Sequence, residues 1–258
     1  MLLRYSEDRV PVLLILLVFS LDVAVYAMAD AWWVAPFWFA AMLIPKGWIC
    51  AWNHHHQHTS TFRLTLPNRL LEFFYALHTG VTTNLWLLHH VYGHHRHYLD
   101  QTRDESRWLR KDGTQMGELE YSLIVAATAY YRGYKVAKDY PKEQKQFFFY
   151  SALTFTLVAL LVVYRPIPGL LVFILPMLMG LFLTAWATYD HHAGLKADDD
   201  YKASYNNLNP LFNLLTGNLG YHTAHHLKGG LHWSKLPQLH EKIKHKIPDE
   251  LILKSLVS

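Results

Sequence analysis

Little charge and almost no cysteine are the first features of this chain. Only 17% of its 258 residues are Asp, Glu, Lys or Arg, whereas soluble domains carry about 25%. This deficit disfavours an ordinary water-soluble protein and favours a chain in contact with lipid. Because Cys50 is the single cysteine, an intrachain disulfide, a cysteine-based zinc site and a cysteine-bound iron–sulfur cluster are all excluded.

Hydrophobic residues, in contrast, make up 52% of the chain. Four apolar runs are long enough to cross a bilayer, for which about 20 residues suffice; they cover 10–29, 31–52, 147–164 and 167–189. We therefore predict an all-α integral membrane protein with about four transmembrane helices, organised as a single domain over residues 1–258. In such a protein the net charge of +4 indicates cations gathered at one membrane face, so no nucleic-acid partner is expected.

Two further segments are amphipathic rather than uniformly apolar. Within residues 64–90, Leu and Phe recur at helical spacing with polar residues between them, which predicts a helix lying at the membrane surface. Residues 119–134 are apolar and aromatic but short, so they predict a second interfacial helix. The polar stretch 99–118 between these segments predicts a solvated loop.

The distribution of charge predicts the orientation in the membrane. With four spans, both ends of the chain lie on the same side, and the two connections on the far side contain only Asp30 and Arg165 as charged residues. Nearly all other Lys and Arg fall on the near side, which the positive-inside rule makes cytoplasmic.

Histidine is the most unusual component of the sequence. Fourteen of the 18 histidines lie in four short clusters, all on the predicted cytoplasmic side: 54–58, 89–97, 191–192 and 222–226. Imidazole is a metal ligand that suits iron, zinc and copper. The alternative is that such histidines are buried core residues, which is the commoner situation for one isolated pair. Four clusters on one membrane face favour a metal site, predicted as a histidine-rich cap that holds two metals.

The spacing within the clusters fits two metals rather than one. His54 and His58 are four residues apart and share one face of a helix. Adjacent histidines, such as His94 and His95, point about 100° apart on a helix, so a pair can serve two different metals. A single tetrahedral zinc would need only four ligands. The four remaining histidines are predicted to lie at the surface or the membrane interface: His78, His232, His240 and His245.

The order of the histidine motifs, H-x-x-x-H, H-x-x-x-H-H and H-x-x-H-H, interleaved with apolar spans, resembles the fatty acid desaturase and hydroxylase superfamily of integral-membrane di-iron enzymes. The most specific part is Asn-Leu-Gly-Tyr-His-Thr-Ala-His-His at 218–226, followed by Trp233 and by Leu-Pro at 236–237. It is similar to the last histidine box of acyl-lipid desaturases, although Ala224 stands where those proteins often have Glu. The segment 93–105 is similar to membrane alkane monooxygenases, and 94–97 to carotenoid ketolases.

The resemblance implies a set of nine metal ligands: His54, His58, His90, His94, His95, His192, His222, His225 and His226. Further candidates for ligands, or for hydrogen-bond partners of ligands, are His55, His89, His97, His191, Asn218, Asp190 and Asp104. No catalytic residue is expected beyond the metal ligands.

The same resemblance implies two Fe ions, which Zn can replace in purified protein, and O2 as co-substrate. The expected substrate is a lipid or long-chain hydrocarbon. Electrons would come from an external donor, namely a ferredoxin, a rubredoxin or a cytochrome with its reductase. A fatty acyl desaturase is the first interpretation. The alternatives are a hydroxylase or monooxygenase of an alkane, fatty acid or carotenoid, and an oxidative decarboxylase that forms a terminal alkene.

A metal transporter or a metal store is the competing class of function. Transporters place ionisable residues within their spans, and Asp22 is the main such residue in this sequence. The histidines instead lie at the ends of the spans, which disfavours transport.

Overall fold

Helices form nearly all of the regular structure. The computed structural model describes residues 2–195 and 199–255, and four of its helices are long and apolar enough to cross a membrane. These four spans confirm the predicted all-α class. They are α1, Arg9–Met28; α2, Val34–His58; α5, Pro141–Tyr164; and α6, Pro166–His192, which contains a π-helical stretch at Leu170–Ile174.

The amphipathic segments form separate helices between the spans. Thr65–Thr79 is α3, Leu87–Tyr92 is a short π-helix, and Glu118–Ala137 is α4. The single helix predicted over 64–90 is wrong, because α3 ends at Gly80. This glycine adopts a left-handed conformation, with φ of 72°, and a Cβ there would lie 2.3 Å from the carbonyl oxygen of Met177.

Helix α3 packs among the spans instead of presenting a polar face to water. Its contacts are with all four spans, and its residues from Tyr75 to Thr79 are buried. Gly180 of α6 allows the closest approach, since a Cβ at that position would lie 2.5 Å from the Cα of Thr79. The prediction that His78 lies at the surface is wrong, because its side chain is fully buried.

A buried ionic cluster joins α1, α2 and α3. The carboxylate of Asp22 accepts a hydrogen bond from Trp38 Nε1 at 2.7 Å and pairs with Lys46 Nζ at 2.8 Å. The imidazole of His78 lies 3.3 Å from the same carboxylate. Lys46 is thus a second ionisable residue within the spans, and it also donates to the carbonyl oxygen of Val172 at 3.1 Å. Pairing and hydrogen bonding are what make buried charges tolerable.

The last quarter of the chain, after α6, is built from short elements. Helices α7, Pro210–Thr216, α8, His222–Leu227, and α9, Leu236–Ile243, are followed by a strand Ile252–Leu253 that pairs in parallel with Asn206–Asn207. Helix α7 packs on α2, and the apolar side of α8 packs on α9. This arrangement brings the fourth histidine cluster to the ends of α2 and α6.

Candidate metal centre

Five histidines from four segments converge at the end of α2. His54 and His58 lie one turn apart in α2, His90 lies in the π-helix, His95 follows it, and His225 lies in α8. We call these five residues the first histidine set. Their ligand nitrogens lie within 4.8 Å of one another.

A second histidine set lies beside the first. The ligand nitrogens of His94, His192 and His226 lie within 4.8 Å of one another. His222 falls outside that mutual limit, but its Nε2 lies 3.0 Å from His192 Nε2 and 3.2 Å from His226 Nε2. Because it faces the same point as these two rings, we include it. The two sets together contain the nine histidines predicted as ligands.

Adjacent histidines are divided between the two sets. His94 belongs to the second set and His95 to the first, and the same split separates His226 from His225. The rings within each pair lie almost at right angles, at 83° for His94 and His95 and at 82° for His225 and His226. Two neighbouring residues can therefore reach two centres, as the spacing of the motifs predicts.

The hydrogen bonds of two rings in the second set fix where their lone pairs point. His94 Nδ1 donates to the carboxylate oxygens of Asp104 at 2.9 and 3.0 Å, and His192 Nδ1 donates to the carbonyl oxygen of Ala203 at 2.8 Å. In a neutral imidazole the other nitrogen, Nε2, then carries a lone pair. These two Nε2 atoms face each other at 3.3 Å. Two facing lone pairs repel each other unless a cation lies between them.

The spacing of the nitrogens fits a metal ion. Two imidazole nitrogens bound at right angles to one metal, each at about 2.0–2.1 Å, are about 2.9 Å apart. The observed contacts between Nε2 atoms run from 2.8 Å, between His54 and His225, to 3.3 Å, between His94 and His192. Between His90 and His95 the distance is 3.0 Å. The residues of both sets therefore fit metal ions held by imidazole.

Burial keeps five of the ligand rings neutral. The pKa values of five ligand histidines outside the spans lie well below the ordinary value, because burial disfavours the charged form and neighbouring histidines repel it: His90, His95, His222, His225 and His226. A neutral imidazole has the free lone pair that a metal requires.

Of the remaining candidates, Asp104 lies where it was expected, against the outer nitrogen of a histidine in the second set. It is almost fully buried and also accepts from the backbone N–H of Ser106 at 2.7 Å. Such a carboxylate holds a ligand ring in one orientation and raises its basicity. Asp190 and His191 line the cavity described below, and the His191 ring lies 4.0 Å from that of His222.

The other four candidates lie outside both sets. His55 Nε2 lies 3.0 Å from the carbonyl oxygen of Thr216, and Asn218 Nδ2 donates to the carbonyl oxygen of Trp233 at 3.3 Å. His89 is buried, and its ring stacks on Trp86 with 5.3 Å between the centroids. His97 is only partly buried and donates its backbone N–H to the carbonyl oxygen of His94.

An apolar cavity of about 650 Å³ reaches the metal centre from the spans. Its walls come from α2, α6 and α7, and its inner end is lined by His54, His90 and His222. The exposed side chains of Ile44 and Leu211 lie along its side, where the fold places lipid. Among the described residues that line the cavity, Asp190 is the one carboxylate, and none is Lys or Arg.

Two aromatic residues beside the centre were missed by the sequence interpretation. Trp86 stacks on His90 with 4.9 Å between the ring centroids, and the Tyr98 ring lies 4.3 Å from that of His226. Burial raises the pKa of Tyr98, and so does the hydrogen bond that its hydroxyl donates to the carboxylate of Asp200. Both lie four residues from a cluster histidine along the chain, and this helical spacing was an available signal.

The prediction that His232 and His240 lie at the surface is also wrong, because both are buried. His232 Nε2 lies 3.1 Å from the carboxylate of Asp8, and Tyr5 stacks on its ring at 3.9 Å. His245 is exposed, as predicted.

One comparison with known proteins identifies the chain at family level. The family model described as fatty acid desaturase matches residues 30–255. A search of curated proteins gave no match. The matched range contains every histidine of both sets.

Proposed function

Because this chain belongs to the fatty acid desaturase family, we propose that it is a di-iron fatty acyl desaturase that introduces a C=C bond. At family level it is an integral-membrane oxidoreductase that acts on lipid. One observation above all supports the metal dependence of this proposal: the Nε2 lone pairs of His94 and His192 face each other at 3.3 Å inside a buried site, an arrangement that a metal ion between them would stabilise. The choice of desaturation rests on the resemblance of residues 218–226 to the last histidine box of acyl-lipid desaturases.

In this proposal each histidine set holds one iron. The first set offers five imidazoles and the second offers four, and imidazole suits iron. Bound iron supplies the activation of O2 for attack on an unactivated C–H bond. The balance of the reaction is one acyl chain, O2, two electrons and two protons giving the alkene and two molecules of water.

The protein contributes position and the exclusion of water. The cavity between α2, α6 and α7 holds the hydrocarbon chain, and its volume of about 650 Å³ falls within the usual range for ligand sites. His54, His90 and His222 belong to the histidine sets and also line the cavity. A carbon held at this end lies beside the histidines that would hold the irons, and the reaction would depend steeply on that placement.

A second candidate is a hydroxylase or monooxygenase of a hydrocarbon. The observation that favours it is the absence of Lys and Arg from the described lining of the cavity. An uncharged chain end fits such a lining, whereas a carboxylate would be buried without a cation. The same feature disfavours the oxidative decarboxylase, which needs the carboxylate close to the metals.

The proposal also covers the source of electrons and the orientation of the site in the membrane. Both electrons come from a separate donor, and the site faces the cytoplasm, because Lys and Arg concentrate on the side of the histidine clusters. The whole chain acts as one domain.

Product analysis by mass spectrometry tests the proposal. The protein is expressed in a lipid-producing host beside His225→Ala, and beside His245→Ala as a control, since His245 is an exposed histidine outside both sets. A loss of two mass units in acyl chains, kept in His245→Ala and absent in His225→Ala, is the expected result. A gain of sixteen would assign the hydroxylase instead, and a new terminal alkene would assign the decarboxylase. Products unaffected by His225→Ala would contradict the metal site itself.

A further inference from the structure

Two rings of the first histidine set lie close to the surface, and neither of them lines the hydrocarbon cavity. His58 and His95 are partly exposed, whereas the members of the second set that lie within 4.8 Å of one another are all buried. Gly229 covers these two rings. A Cβ on Gly229 would lie 3.3 Å from His58 Nδ1 and 3.5 Å from His95 Nδ1. Where Gly229 covers these two partly exposed rings, no side chain lies between them and solvent.

The loop around Gly229 carries no side chain at its two glycines, and a hydrogen bond from Thr59 fixes its position. Gly230 is exposed and has open space where a side chain would begin. Thr59, which follows α2, donates its hydroxyl to the carbonyl oxygen of Gly230 at 3.1 Å. A polar recess of about 10 Å³, which is about the size of one water molecule, lies beneath this loop and reaches His58 and His225.

Basic side chains lie around Gly229 and Gly230, and we call these side chains the rim. Arg4, Lys228 and Lys235 are exposed there, and Arg4 Nε donates to the carbonyl oxygen of Ser60 at 3.0 Å. The exposed acid Glu7 neighbours Lys235. The rim thus carries more positive than negative charge, which attracts an acidic protein and accelerates its association.

We infer that the surface around Gly229 and Gly230 is the docking site of a small acidic one-electron carrier protein, and that electrons enter through His58 and His95. This inference rests on the proposed function. Each docking event oxidises the carrier by one electron and reduces one iron from the ferric to the ferrous state, so two events serve one turnover. The hydrocarbon reaches the centre at His54, His90 and His222, so carrier and substrate do not compete for one entrance.

The test measures reduction of the oxidised metal centre in the full-length protein by stopped-flow spectroscopy. The probes are a reduced acidic [2Fe–2S] ferredoxin and, separately, dithionite, which needs no docking surface. The variants are Gly230→Trp, which covers the loop, and Lys228→Glu, which reverses a rim charge. The matched controls are Gly117→Trp, at a glycine with equally open space, and Lys111→Glu, at an exposed lysine outside the rim.

We expect Gly230→Trp to slow reduction by ferredoxin about tenfold, and Lys228→Glu to slow it about threefold to tenfold. Added salt should slow the wild-type protein more than Lys228→Glu. Both controls, and every rate with dithionite, should stay at the wild-type value. Equal ferredoxin rates in all variants would overturn the docking site. Reduction of the wild type by dithionite but not by ferredoxin would overturn the acidic carrier. A wild-type protein that dithionite also cannot reduce would contradict the proposed function rather than this inference.

Discussion

The two histidine sets differ in how they are supported and in how close they lie to solvent. In the second set, Asp104 and the carbonyl oxygen of Ala203 hold the outer nitrogens of His94 and His192, and these rings are buried. In the first set, His58 and His95 are partly exposed beneath Gly229. Two rings of the second set are thus fixed by hydrogen bonds, whereas two rings of the first set lie close to solvent.

The largest effect is expected when a ligand of the second set is removed and its neighbour in the chain is left intact. We expect His192→Ala to abolish product formation, lowering it at least about 100-fold, since it removes a ligand whose orienting partners are known to matter by 10- to 100-fold. His191→Ala, one residue away in α6 and outside both sets, should retain more than about a tenth of wild-type activity. Product is measured by mass spectrometry. A similar loss in both variants would show that the sets are assigned incorrectly.

A second change acts on α2, which carries two ligands of the first set. Lys46 lies two turns before His54 and pairs with the buried carboxylate of Asp22 at 2.8 Å. Lys46→Met leaves that charge uncompensated and should cost about 3–5 kcal/mol of stability. The double variant Asp22→Asn/Lys46→Met should recover most of this loss, because the uncompensated charge is gone. Thermal unfolding in detergent measures both. A double variant less stable than Lys46→Met would contradict the account.

A third change tests whether Asp104 supports the second set alone. Asp104→Asn keeps the size of the side chain but weakens the hydrogen bond to His94 Nδ1. The metal of the second set, which we call the second metal, should therefore bind about 10- to 100-fold more weakly. The first metal should be retained. Competition with a chelator, followed by metal analysis, gives both affinities, and Asp112→Asn in the exposed loop is the control. Equal weakening of both metals would remove the distinction between the sets.

The smallest effect is expected at the cover of the first set. Gly229→Ala places a methyl group 3.3 Å from His58 Nδ1, whereas Gly230→Ala meets open space. We expect the first metal to bind less than about tenfold more weakly in Gly229→Ala, because only the outer side of the ligand ring is displaced. Gly230→Ala should match the wild type. If Gly229→Ala instead lost the metal of the second set, the assignment of this glycine to the first set would be incorrect.

The general plan of the site could be predicted from the sequence because it depends on residue type and short spacing. The separation of four residues between His54 and His58 predicts that these rings can share a centre, and the adjacency of His94 and His95 predicts that these can divide between two. The four spans could be predicted equally well, because apolar runs of that length rarely form anything other than transmembrane helices. These predictions required no knowledge of distant contacts.

The burial of the other histidines could not be predicted, because their partners lie far along the chain. His232 meets Asp8 across 224 positions, and His78 meets Asp22 of α1. Their polarity suggested exposure, and tertiary packing decided otherwise. The end of α3 is a different case, since Gly80 was visible in the sequence. The apolar spacing continues past it because the returning segment, with Leu85 and Leu88, is also buried.

The central claim is that the two sets hold two separate metals, and the metal content of the purified protein tests it most directly. After reconstitution with ferrous iron, mass spectrometry of the metal should find about two irons per chain in the wild type. His54→Ala, in the first set, and His226→Ala, in the second, should each retain about one iron, and the double variant none. One iron or fewer per wild-type chain, under conditions that saturate the site, would contradict the account.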